Sequence, residues 1–309
     1  EVGPALAATA ATTALAFTQV TAGTENSCAI TAAGRAYCWG MNGGGQIGDG
    51  TTLARLIPTP VAGGLLFRQV STGHTHSCGV TTDNHLYCWG NGFFGELGDG
   101  TSGTNRLSPV AVAGGLQFQT VSAGAEHTCG LTVTDRRAYC WGRNDHGQLG
   151  DGTTTSRSTP VAVYGGRKWR DVSAGFWFTC GVTTTQVAFC WGQDDQGELG
   201  DGPALAQRKR PSAVAGNHRF SQIDAGSLHA CAVGIDQRAY CWGDGRFGGI
   251  GDGQLLIRAT PRAVAGDLFV DRITAGMGTC AESTTGRTYC WGVNDRGQVG
   301  IGITGDVVD

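Results

Sequence analysis

Short apolar runs bounded by Gly, Pro and Asp return about every fifty residues along the chain, and no helical periodicity separates them. Residues 101–152 show one full period. Ser108-Pro-Val-Ala-Val reads as a short strand with Pro near its beginning, where a missing N–H is tolerated. Gly114-Gly115 turns the chain, and Phe118-Gln-Thr-Val-Ser-Ala-Gly124 carries a second strand to a glycine break. Thr128–Thr132 and Arg137–Trp141 form a hairpin, and Asn144–Gly152 is a Gly/Asp-rich loop. Four short strands per period predict an all-β fold: a β-propeller of six four-stranded blades. Propeller blades bury their faces on one another, so one domain is expected over residues 1–309. Its repeats fall at about 1–50, 51–100, 101–152, 153–202, 203–253 and 254–309.

Each period carries two cysteines, the second between an aromatic residue and Trp-Gly. The pairs are Cys28/Cys38, Cys78/Cys88, Cys129/Cys140, Cys180/Cys190, Cys231/Cys241 and Cys280/Cys290. A hairpin centred on Thr185 sets Cys180 opposite Cys190, Gly181 opposite Phe189 and Val182 opposite Ala188. Directly opposed Cβ atoms lie close to disulfide distance. One disulfide per hairpin is expected, the alternative being pairing between neighbouring blades. Alternation puts Tyr37 and Trp39 on one face and Cys38 on the other, and the other five blades follow suit. The aromatic pair of one blade is expected to pack toward the disulfide face of the next, which makes all six Trp-Gly tryptophans core residues.

Six structural disulfides imply an oxidising compartment: secreted, cell-surface or periplasmic. Zinc spacing of the Cys-x2-Cys kind does not recur. No stretch approaches the ~20 apolar residues of a membrane helix, and no Asn-x-Ser/Thr sequon occurs. The opening Glu1-Val-Gly-Pro-Ala-Leu-Ala lacks a basic n-region and reads as a mature terminus after signal removal. Residues 1–16 align without gaps to 51–66 and read as a degenerate first strand. Gly305-Asp-Val-Val-Asp309 stands where a seventh Pro-Val strand starts, so six repeats read as complete and the chain as cut between a Gly/Asp loop and the next strand. A net charge of −3 gives no broad electrostatic reason to expect nucleic acid or an anionic membrane.

Val121-Ser-Ala-Gly124, His127-Thr-Cys129, Tyr139-Cys-Trp-Gly142 and Asn144–Gly152, with counterparts in every repeat, resemble the regulator-of-chromosome-condensation repeat family. The resemblance covers nearly the whole chain. It implies a propeller, most often of seven blades, so six repeats depart from it. The paired cysteines look like a secreted bacterial branch. Guanine-nucleotide exchange, one activity the resemblance offers, conflicts with the disulfides; inhibition of a β-lactamase through propeller loops shows what such a scaffold can do without assigning a target.

No catalytic constellation stands out, and the chain reads as non-enzymatic. Asp49, Asp99, Asp151, Asp201 and Asp252 sit in Gly-Asp-Gly loops. Such loops can bind Ca2+, yet none has a calcium-loop spacing, and the expected role is to satisfy backbone N–H groups. No cofactor and no catalytic or metal residue is therefore assigned. His76, His127 and His229 share one repeat position, taken by Asn26 and Phe178 elsewhere, which reads as structural. Function is sought where the repeats disagree. Blade four brings Arg167-Lys-Trp-Arg170 with Trp169, then Phe176-Trp177-Phe178; blade two brings Phe93 and Phe94; blade five brings Arg208 and Arg210. Trp169, Phe176, Trp177, Phe93, Phe94, Arg208 and Arg210 are thus the candidate partner-binding residues. The expected function is a secreted or cell-surface scaffold that binds protein or surface polymer through loops. The alternative is a subunit of an extracellular filament, joined by strand addition at the chain ends.

Overall fold

A computed structural model describes residues 15–308 apart from 204 and 303. Its strands form six four-stranded antiparallel sheets, each in simple sequence order. The blades span residues 17–60, 67–111, 118–162, 169–213, 220–263 and 270–308. Blade 3 is typical: β-strands run over Phe118–Ala123, His127–Thr132, Ala138–Gly142 and Arg157–Ala162. The first strands line a central channel.

The hairpin register is the one the cysteine spacing implies. Cys180 faces Cys190, Gly181 faces Phe189 and Val182 faces Ala188. The six disulfides are Cys28–Cys38, Cys78–Cys88, Cys129–Cys140, Cys180–Cys190, Cys231–Cys241 and Cys280–Cys290, with Cα atoms 4.0–4.1 Å apart. Each closes its own hairpin, and none joins neighbouring blades.

The repeat read from the sequence is out of phase with the blade. The proline-bearing strand does not open the next blade; it is the outer strand of the blade before it. In blade 3, Tyr139 pairs with Ala162 and Cys140 with Val161, and a bulge before Gly142 accommodates Pro160. Blade 5 repeats this arrangement, with Cys241 opposite Arg262 and a bulge before Gly243. An outer edge is where proline's missing donor costs nothing. By the same rule Gly305–Val308 is not the start of a seventh unit but the outer strand of blade 6, paired with Gly292 and Val293. The strand expected within 1–16 falls almost wholly on residues 1–14, outside the described residues.

Blades join through the tryptophan, in the direction opposite to the one expected. Trp89 packs on Cys28 and Cys38 of the preceding blade, and Trp141 on Cys78 and Cys88. The correction is plain at blade 5, where Cys231 and Cys241 are covered by Trp291 of the following blade and not by Trp191 of the preceding one. Each indole N–H donates to a main-chain carbonyl of the preceding blade: Trp89 to Gln46 (3.0 Å), Trp141 to Glu96 (2.9 Å), Trp191 to Gln148 (2.9 Å), Trp242 to Glu198 (2.9 Å) and Trp291 to Gly249 (3.1 Å). A glycine lies flat beneath each ring, and a Cβ on Gly98 would strike the Trp141 indole. Around the channel, Gly23, Gly73, Gly124, Gly175 and Gly226 each press on the main chain of the next blade so closely that no side chain fits.

This series stops between blades 6 and 1. Among the described residues nothing would meet a Cβ on Gly300, where an incoming tryptophan lies in the other five blades, and a Cβ on Gly276 would meet no following blade. Trp39 is only half-buried and stacks on Phe17 of its own blade (6.1 Å), which corrects the expectation of six buried tryptophans. Val20 is 61% exposed, whereas its counterpart Val121 is 3% exposed. Cys280 and Cys290 are half-buried; the other ten cysteines are fully buried. Among the described residues the ring therefore has five closed interfaces and one open seam.

Candidate functional site

The turn after each first strand and the loop after each third strand lie at the same end of the blade, because Asn26 pairs with Gly40 and its counterparts do likewise. The Met41 N–H bonds the Glu25 carbonyl (2.9 Å), and the same link recurs as Asn91 to Thr75 and Arg143 to Glu126. These segments surround one mouth of the channel, a cavity of about 1010 Å3 that runs into the seam. Its lip holds, blade by blade, Thr24, His74, Ala125, Phe176, Ser227 and Met277.

Four of the seven candidate residues meet on this face. Phe93 and Phe94 stand edge to face at 4.9 Å, with Phe93 64% exposed. The Arg143 guanidinium covers Phe94 at 4.7 Å and is held by Glu126 (2.6 Å) and Asp145 (2.8 Å). Its loop also carries His146, which stacks on Trp177 at 5.5 Å. Trp177 meets Phe176 at 4.7 Å, and Phe176 meets His74 across the channel lip at 5.8 Å. The result is a belt of rings over blades 2–4. The Trp177 indole N–H and His74 Nδ1 find no hydrogen-bond partner in it. Sequence comparison among repeats missed His74, Arg143 and His146. The signal available was at Arg143, where other repeats carry Met41, Asn91, Gln193 and Asp244.

The remaining three candidates lie elsewhere. Trp169 is a correction: it is 1% exposed and packs on Trp191 at 5.5 Å, in the slot Phe67, Phe118 and Phe220 fill in other blades. Its ring is spent on the blade interface. Arg208 is a second correction. It pairs with Asp201 at 2.8 Å, one of five such pairs with Arg55–Asp49, Arg106–Asp99, Arg157–Asp151 and Arg258–Asp252. The aspartates also act on the backbone: Asp49 accepts the Thr51 N–H (3.0 Å) and Asp151 the Thr153 N–H (2.8 Å). Arg210 lies on the outer rim over Tyr164 at 4.0 Å, away from the belt.

Beneath this face the titratable groups serve the blade joints. His76, His127 and His229 bond Thr128, Thr179 and Thr279 of the following blade at 2.8, 2.8 and 2.7 Å. Burial pushes them down to about 3, 3 and 4, so they are neutral. Glu96 and Glu198 accept the Phe94 and Gln196 N–H groups (2.7 Å each), and burial raises both to about 7. These groups are packed into joints, not grouped around an open space where a substrate could react.

The model of the regulator of chromosome condensation (RCC1) repeat matches residues 33–80, 83–131, 135–182 and 187–233, more than half of the chain. The chain belongs to the RCC1 repeat family. A second RCC1 repeat model matches 17–46, 67–96, 118–148, 169–198 and 220–248. The Ultraviolet-B receptor UVR8 of Arabidopsis thaliana is 31% identical over 151 residues, 48% of this chain and 34% of UVR8. The E3 ubiquitin-protein ligase HERC2 of Homo sapiens is 30% identical over 252 residues, 80% of this chain and 4% of HERC2. The chain thus matches only about a third of one curated relative and a small part of the other. Among solved structures, yeast RCC1 (Prp20) bound to Kap60 superposes with a TM-score of 0.82 at 19% identity, over 94% of this chain and 73% of that one. Human WBSCR16 gives 0.77 at 22% identity, over 85% and 70%. The CRINKLY WD40 ectodomain of the Arabidopsis thaliana receptor kinase ACR4 gives 0.58 at 20% identity, over 90% and 81%. At these identities the structural likeness shows the fold.

Proposed function

We propose that this chain is an extracellular, non-catalytic propeller scaffold that binds a protein partner through the aromatic belt at the channel mouth. The observation that carries this reading is the convergence of Phe93, Phe94, Phe176 and Trp177, from two separate blades, onto one face with Phe93 largely in water. Aromatic rings with a neighbouring arginine are the residues that anchor protein interfaces. The exposed acids Glu25 and Asp195 on this face favour a partner segment that joins apolar and basic side chains. The family supports a binding role: the solved yeast RCC1 is bound to Kap60, and its binding to Gsp1p and histones has been examined. An extracellular place is supported by six disulfides and by the fold's occurrence in a receptor-kinase ectodomain. Among the described residues no helix is long and apolar enough to cross a membrane.

The test uses proteins from the surface and medium of the source cells, captured on the immobilised chain and on the triple variant Phe93→Ser/Phe176→Ser/Trp177→Ser. The expected result is a partner retained by the natural chain, lost by the variant, with the melting temperature little changed. A variant that folds and still captures every partner overturns the reading.

The open seam favours a second reading, self-assembly. Val20 is 61% exposed there, on a face that is covered at the other joints, where Val70 and Val121 are 1% and 3% exposed. Native mass spectrometry over a range of concentrations tests it. Oligomers abolished by Val20→Asp support assembly through the seam; a monomer throughout removes it.

A further inference from the structure

The arginines that open the outer strands of blades 1–5 are neutralised by aspartates. A second set of cations is not. It lies at the other end of the sheets from the aromatic belt, where the turns between second and third strands meet the linkers joining blades. There Arg136 and Arg137 in the turn of blade 3 meet Arg167 and Lys168 in the linker to blade 4. The Trp169 N–H donates to the Arg136 carbonyl at 2.8 Å, and the Arg137 guanidinium lies over Gly166. Arg170 follows at the start of blade 4. Arg219, in the linker to blade 5, donates to the Thr185 carbonyl in the turn of blade 4 at 3.1 Å.

Arg136, Arg137, Lys168, Arg170 and Arg219 are all exposed. Among the described residues the one carboxylate paired with any of these six cations is Asp135, 3.7 Å from Arg137. Asp171, next in sequence, accepts the Ile223 N–H of blade 5 (3.2 Å) and acts on Arg170 only through its field, without a direct ion pair. Arg167 shows how charge replaces packing here. Leu65, Leu116 and Leu268 hold its position in other linkers and pack on the core. Arg167 instead lays its guanidinium over the Phe189 ring at 4.4 Å and keeps its charge at the surface. It also reaches the Tyr164 carbonyl (3.3 Å), and Tyr164 carries Arg210, which extends the cationic surface to the outer rim. The chain as a whole is slightly acidic, with a net charge of −3, so this excess is local. Cations that outnumber the nearby carboxylates, here Asp135 and the exposed Asp236 in the turn bonded to the Arg219 main chain, repel one another and create a field that attracts anions. Other arginines without a carboxylate, such as Arg35 and Arg287, stand singly on other blades.

We propose that this turn-and-linker surface of blades 3–5 binds an anionic polysaccharide through its sulfate or carboxylate groups. Guanidinium forks match both groups in a bidentate manner. The choice of polyanion rests on the extracellular reading proposed above, which the six disulfides support and under which acidic polysaccharides are within reach of the surface. Single-stranded nucleic acid fits less well, because base stacking needs open rings and the exposed ring here, Tyr164, already lies under Arg210. The site is separate from the aromatic belt and stands or falls apart from it.

Heparin serves as the probe, measured by titration calorimetry at several salt concentrations, with neutral dextran, poly-glutamate and a DNA oligonucleotide as competitors. The quadruple variant Arg136→Gln/Lys168→Gln/Arg170→Gln/Arg219→Gln is expected to lose about tenfold or more in heparin affinity at about 0.15 M salt and to show a shallower salt dependence. A control of equal charge change, Arg35→Gln/Arg262→Gln/Arg287→Gln/Arg296→Gln, is expected to bind nearly as the natural chain does. Melting curves establish that both variants are folded. The proposal is overturned by no binding of heparin, by equal losses in the two variants, or by poly-glutamate or DNA competing as well as heparin itself.

Discussion

Blade 3 and blade 1 have the same four strands, the same disulfide and the same Trp-Gly, yet they meet water differently. Trp141 of blade 3 is sealed against the Cys78–Cys88 hairpin of blade 2, with its N–H on the Glu96 carbonyl. Trp39 of blade 1 has no preceding blade beneath it among the described residues and leans on its own Phe17. The side chains are equivalent; the neighbour is not. A propeller blade is thus a local structure made by its hairpin and disulfide, and its burial is supplied by the blade before it. Polar clasps show the same thing. Gln69 exchanges two hydrogen bonds with the Val121 main chain of the next blade (3.1 and 3.0 Å), while Arg272, in the same repeat position of blade 6, is exposed.

The most forceful way to break this comparison is to truncate both tryptophans. Trp141→Ala is expected to cost about 3–5 kcal/mol, as full burial and cavity formation demand, and Trp39→Ala about 1–2 kcal/mol, as partial burial implies. Chemical denaturation measures both; equal losses would mean that the seam is packed like the other joints.

The next effect sharpens what the closed joints contain. Glu96 occupies the junction position that Gln46 and Gln148 hold in other blades. Burial raises its pKa from 4.5 to about 7 in the folded state. A carboxyl raised in this way contributes its stability fully below its unfolded pKa and loses it as pH rises through about 7. Glu96→Gln is therefore expected to stabilise the fold by about 1–3 kcal/mol at about pH 8, with the gain vanishing below pH 4.5. Melting curves of both proteins across this range give the answer, and a gain that grows toward acid contradicts the sign.

A third test reads exposure through chemistry. Under mild reduction followed by alkylation and mass mapping, Cys280–Cys290 at the seam is expected to open before the five fully buried disulfides, including Cys231–Cys241 in the neighbouring blade. Simultaneous opening of all six would argue that the blades come apart together. The smallest effect is expected on the aromatic face, where Phe93→Ala should change stability by less than about 0.5 kcal/mol, against several for the buried Phe118→Ala.

Much of this was legible in the sequence, for reasons tied to particular residues. A sequence separation of 10 or 11 between paired cysteines and strict alternation around Tyr-Cys-Trp determine the hairpin register and the disulfide. The grouping of strands into blades was not legible, because Pro160 is compatible with the start of one sheet or the edge of another. Nor was the direction of Trp packing, which follows from the handedness of the whole ring. Trp169 looked divergent only beside its charged neighbours; aligned with Phe67, Phe118 and Phe220 it is an ordinary core ring. Arg208 belongs to a series visible in every blade from 1 to 5, an arginine six or seven residues after the loop aspartate. The belt was half legible. Phe93 and Trp177 announced themselves as departures from the repeat, but their shared face, with His74 and His146, exists only once the blades are in place.

Oxidative footprinting of the eight tryptophans, read by mass spectrometry, tests both halves of the account at once. The expected result is strong labelling of Trp177 and Trp39, with Trp89, Trp141, Trp169, Trp191, Trp242 and Trp291 protected. A Trp39 as protected as Trp141, or a Trp177 as protected as Trp191, would contradict the open seam or the exposed aromatic face, respectively.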